Sequence, residues 1–217
     1  CIYSCLNQRN HSLIYEIIVV DDGSTDNTKN ILENLKNEKI KIIAKDNSGI
    51  ENSSNIGVFH SSVKYFVRVD ADDMLCSNFL SNIQKCIRSG LAFIYSDYNV
   101  IDKYGKFLEK MTLPKFCRKE ICQRGDFLAT GTVYKKNCFK KFEIYNEEIK
   151  NCGLENYELV LNLILNGFEG FHVPEPLFNY RRHNNNMSIR KKKLIINNGK
   201  ILFNRLNLGK FRTNKFH

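Results

Sequence analysis

Three carboxylates, Asp70, Asp72 and Asp73, close a short apolar run at residues 64–74, KYFVRVDADDM. Tyr65, Phe66, Val67 and Val69 compose a strand of the kind buried on both faces. In open parallel sheets, ligands bind just beyond the carboxyl ends of such strands. Carboxylates clustered there repel one another unless a cation sits among them, and a hard divalent ion holding a substrate's phosphates meets that need. The same residues also fit a solvated acidic turn capping a helix that starts near Leu75. A second acidic stop, Asp21-Asp22-Gly23-Ser24, follows the β-branched run Glu16-Ile-Ile-Val-Val20. It reads locally as an Asx turn, with Ser24 or Thr25 capping the next helix.

These stops need elements to hold them, and hydrophobic periodicity supplies the outline. Cys1 to Gln8 reads as the end of a helix. After the strand at 16–20 comes a helix striped by Ile31, Leu32 and Leu35, then a strand at 39–45. A loop and short helix fill 47–62 before the strand at 64–70. Phe79, Leu80, Ile83 and Ile87 share one face of a helix over 75–89, ended by Gly90, and Leu91–Tyr95 is a further strand. This alternation predicts an α/β fold with a mostly parallel sheet flanked by helices. Beyond residue 97 the pattern loosens into a hairpin-like stretch at 101–107, a basic Cys-bearing segment, and Ala129–Tyr134. A helix carrying Leu154, Leu159, Leu161, Ile164 and Leu165 and a strand at 170–173 follow.

A chain of 217 residues, 42% of them apolar, suits one well-cored domain. No apolar run approaches the roughly 20 residues that a spanning helix requires. CIYSCLNQ has neither the charged start nor the apolar core of a signal peptide, and with no initiating Met the expectation is a fragment. Eight scattered cysteines without CxxC pairs fit a reducing, cytoplasmic setting. The net charge of +10 lies almost wholly in the tail, where nine basic residues and no acid follow Ser188. A near-neutral body argues against a nucleic-acid-binding protein. Residues 1–188 therefore read as the main domain and 189–217 as a basic amphipathic tail. The tail's apolar positions, Ile189, Ile196, Phe203 and Leu206, either pack back on the domain or lie on an anionic membrane surface.

Six segments, EIIVVDDGSTDNT (16–28), NSGIENSSNIG (47–57), YFVRVDADDM (65–74), ATGTVYKK (129–136), GLENYELVLNLILNGFEG (153–170) and VPEPLFNYRRHNNNMS (173–188), together resemble the family-2 glycosyltransferases. These are inverting enzymes with the Rossmann-like GT-A fold. The resemblance implies transfer of a sugar from a nucleotide-diphosphate donor to a glycan, lipid-linked or protein acceptor. It implies donor contacts from Asp21, Asp22, Ser24, Asn55, Asp70 and Arg181, and a Mn²⁺ or Mg²⁺ ion on Asp70, Asp72 and His183. It places the catalytic pair at Glu155-Asn156, with Thr130-Gly131-Thr132 shaping the acceptor side. Three departures stand out. The family's central first strand would precede Cys1, an Arg common in the third motif is Ser54, and the usual catalytic Asp is Asn156. An amide cannot accept a proton near neutral pH, so Glu155 is the carboxylate left for that work. A relative that binds nucleotide-sugar without turnover is the alternative.

Overall fold

The computed structural model describes all residues except 124–130, 140–143, 149 and 213–217. Its elements run α1 (Ile2–Leu6), β1 (Ile17–Asp22), α2 (Thr28–Glu33), β2 (Ile40–Lys45), α3 (Ile50–His60), β3 (Tyr65–Val67), β4 (Met74–Leu75) and α4 (Phe79–Cys86). They continue with β5 (Leu91–Ile101), β6 (Phe107–Met111), α5 (Arg118–Gln123), β7 (Val133–Lys135), α6 (Glu155–Leu165), β8 (Glu169–Arg181), α7 (Met187–Arg190) and α8 (Lys192–Arg205). The α/β class expected from the alternation is what forms. Its pairing is mixed: β1–β2 and β5–β8 are parallel, whereas β3–β7, β4–β8, β5–β6 and β5–β7 are antiparallel. The antiparallel pairs come from short strands and a hairpin in the second half, which need no helical crossover.

β5 is the central strand. Phe93 and Tyr95 point to one layer, with α6 and α8, while Ile94 points to the other, with α4, Val173 and Phe178. The α6 sequence is apolar nearly all round, and Leu159, Val160, Leu161, Leu163 and Ile164 are fully buried. β8 passes so close to β5 that a Cβ on Gly170 would lie 2.3 Å from the Phe93 ring, so only glycine fits. Among the described residues the sheet is divided, β1 pairing only with β2 and β3 only with β7. Ser62 N and Oγ bridge the division by donating to Glu16 Oε1 at 2.6 and 2.9 Å.

Several boundaries differ from the sequence reading. The helix expected from Leu75 begins at Phe79, because Met74 and Leu75 pair with Asn179 and Phe178 of β8. The acidic run therefore does not cap it. Neither Ser24 nor Thr25 caps α2, which starts at Thr28 after Asn27. In the tail, Leu202, Phe203 and Phe211 pack back on the main core, one of the two placements expected, and Phe203 stacks on Tyr157 of α6. All eight cysteines are free thiols.

Candidate active site

The predicted residues lie at the end of β1, on α3, in the turn after β3, at the start of α6 and at the end of β8. After β1, Asp21 is buried, and its Oδ1 accepts from Ser24 N at 3.0 Å while Ser24 itself is exposed. Asp22 is tied down by its own chain. Its Oδ1 accepts from Lys45 Nζ and Ser48 N, and its Oδ2 from Gly49 N. Burial opposes the charge, but Lys45 and the two amides outweigh it and lower the Asp22 carboxyl to about 2. Asp22 is thus the clasp that fixes the 45–49 loop beneath α3. Asn55, on α3, docks a distant segment: its Nδ2 donates to Tyr145 O at 2.8 Å and its Oδ1 accepts from Tyr145 N at 3.0 Å.

After β3 the three carboxylates part company. Asp70 is held by Arg68, whose Nε donates to Oδ1 at 3.0 Å and whose Nη2 donates to Oδ2 at 3.3 Å. Asp72 is 40% exposed, and its Oδ2 lies 3.0 Å from Nε2 of His183, itself partly exposed. Asp73 is buried and accepts from Arg181 N at 2.8 Å. Arg181 braces this turn with Nε on Asp72 O and Nη1 on Asp102 O and Lys103 O. Its Nη2 points to the Met74 sulfur at 3.4 Å. Sequence spacing alone could not reveal that, because residues 72, 102 and 181 meet only through the sheet.

At the start of α6, Glu155 and Asn156 are both buried. Glu155 Oε1 accepts from Arg68 Nη2 at 2.9 Å, and Oε2 lies 3.8 Å from the Cys152 thiol. Asn156 Oδ1 accepts from Tyr145 OH at 3.2 Å. Burial, then the nearby Glu155, push the Cys152 thiol well up, so it stays protonated. Two contacts from α8 support this turn. Asn198 Nδ2 of α8 donates to Cys152 O at 3.1 Å, and Gly153, at φ +73°, meets the Ile195 side chain. Gly131, at φ +92°, lies against the Phe178 ring, while Thr130 lies outside the described residues.

Two side-chain sets invite a metal. Asp72 and His183 set a carboxylate oxygen beside an imidazole nitrogen at the separation of neighbouring ligands on one octahedral ion, about 3 Å for bonds of about 2.1 Å. Mixed oxygen and nitrogen donors suit Mn²⁺ better than Mg²⁺, which prefers oxygen alone. Both oxygens of Asp70, the third residue expected at the ion, face Arg68. Glu51, Cys152 and Glu155 also converge, with ligand atoms within 4.8 Å. That set does not fit a cation: Glu51 accepts from Asn151 N and Cys152 N, Glu155 is paired, and the thiol is neutral.

Residues 1–148 match the family described as Glycosyl transferase family 2. An uncharacterized glycosyltransferase from Haemophilus influenzae is 46% identical over 137 residues, 62% of this chain and 38% of that protein. Hyaluronan synthase from Pasteurella multocida is 27% identical over 207 residues, 88% of this chain and 20% of the synthase. The chain thus spans a fifth to under two-fifths of these relatives. Among solved structures, S. aureus TarS 1–349 in complex with UDP-GlcNAc superimposes with a TM-score of 0.71 at 17% identity, covering 93% of this chain and 60% of that one. The fold is the GT-A fold that the resemblance implied.

Proposed function

The chain belongs to glycosyl transferase family 2, and from that premise we propose that it transfers a sugar, with inversion, from a nucleotide-diphosphate donor to a glycan, lipid-linked or protein acceptor. The observation that carries this reading is the Asp70–Arg68–Glu155 bridge, which sets a donor-side carboxylate and a candidate base on one guanidinium. S. aureus TarS is known in complex with UDP and with UDP-GlcNAc, which supports a donor of that kind for this chain.

Asp72 and His183 would hold Mn²⁺ or Mg²⁺ on the donor's diphosphate. Such an ion offsets the charge that develops on the departing nucleoside diphosphate. Asp21 and Asp70 would accept from the nucleoside, with Asp22, Asn55 and Arg181 keeping the surrounding turns in place. Glu155, with Oε1 fixed by Arg68, would take the acceptor hydroxyl's proton on Oε2 as that oxygen attacks the anomeric carbon from behind. The geometry of Asn156 favours a second reading, binding without turnover, because its Oδ1 is engaged by Tyr145 OH.

The outward face of α8 carries Lys193, Lys200 and Arg205 around Leu194 and Ile201, which are 45% and 48% exposed. No helix among the described residues is long and apolar enough to cross a membrane. We propose peripheral contact of this face with an anionic cytoplasmic leaflet.

Titrating a panel of nucleoside diphosphates with and without Mn²⁺ tests the donor site. One nucleotide should bind in a metal-dependent way, and Asp72→Asn should abolish that dependence while the fold survives. Equal affinity with and without metal would sink the ion's role.

A further inference from the structure

We propose that Arg68 is a positioning residue that couples the donor site to Glu155, so that a change at one carboxylate is felt at the other. This rests on the transferase reading above. Arg68 leaves the end of β3, and its own carbonyl is pinned by Gly131 N at 3.2 Å. Its side chain is only 13% exposed and lies over the Tyr145 ring, 5.8 Å from the centroid. Burial works against its charge, but Asp70 and Glu155 more than compensate and keep the guanidinium cationic.

The decisive detail is which nitrogens are used. Nε serves Asp70 alone, whereas Nη2 serves both Asp70 Oδ2 and Glu155 Oε1. Nη2 has a hydrogen for each carboxylate, but both leave one rigid plane, so turning the guanidinium toward one lengthens the bond to the other. Without the cation the two carboxylates would repel across a poorly solvated site. Lysine could supply charge there but not the planar fork that spans two carboxylates. Removing the Glu155 charge should therefore bring Arg68 wholly onto Asp70 and weaken cation–nucleotide binding beside it.

The test is a double-mutant cycle read by calorimetric binding of UDP with Mn²⁺, or of whichever nucleoside diphosphate the wild type prefers. Glu155→Gln should weaken binding by about tenfold when Arg68 is present, and by less than about twofold in an Arg68→Met background. Arg68→Lys, which keeps the charge and so protects the fold, should leave a coupling of under about threefold. An Arg68 with a purely structural role would lower the melting temperature of its variants without this non-additivity. Equal fold-changes in both backgrounds overturn the coupling and leave the transferase reading standing. A wild type that binds no nucleoside diphosphate overturns both.

Discussion

Replacing Asp22 by Asn should destabilise the protein at neutral pH, and by an amount that fades as the solution is acidified. In the folded protein this carboxyl sits at about 2, against an ordinary 3.8, because Lys45, Ser48 N and Gly49 N outweigh its burial. That difference is worth about 2.4 kcal/mol at pH 7, from about 1.36 kcal/mol for each tenfold change in acidity. Solvent reaches the turn, with the Asp22 side chain 24% exposed, so about 1.5–2 kcal/mol is the expected loss. The sign follows from linkage. A depressed carboxylate contributes its full stability above 3.8 and loses it as pH falls through about 2. Urea unfolding of wild type and variant from pH 7 to pH 3 reads this directly. The gap should shrink to about half by pH 3. A gap that is absent at pH 7, or that stays constant down to pH 3, would refute the clasp.

Two further outcomes follow from packing and charge. Gly170→Ala should cost about 1–3 kcal/mol, because the added methyl meets the buried Phe93 ring and one strand must shift; an unchanged urea midpoint would contradict the close β5–β8 approach. The protein should co-sediment with anionic but not neutral vesicles. Lys193→Glu with Lys200→Glu, or high salt, should abolish this, and no binding to anionic vesicles at low salt would end the membrane reading.

Much of the architecture was legible because it is local. The β-branched run at β1, the apolar α6 and the βα alternation each leave a periodic trace within a few residues. The acidic stops after β1 and β3 were legible too, since strand ends are where such folds put their chemistry. What escaped was decided across the sheet. Arg68 and Glu155 meet over a separation of 87 positions, and Asn55 meets Tyr145 over 90. Nothing in the stretch 64–74 announced that Arg68 would bind Asp70. Arg181, expected among the donor contacts, also braces three backbone carbonyls. Leu75 read as the start of a helix until β8 offered Met74 and Leu75 a ladder.

The central claim is turnover, and the most direct measurement is release of nucleoside diphosphate from a panel of nucleotide sugars with Mn²⁺ and an acceptor glycan. The account predicts release from one donor, lost in Glu155→Gln and increased in Asn156→Asp, where a carboxylate returns to the position of the usual base. Metal-dependent donor binding with no release from any donor, in wild type and Asn156→Asp alike, would contradict it and leave a domain that binds nucleotide-sugar without transferring it.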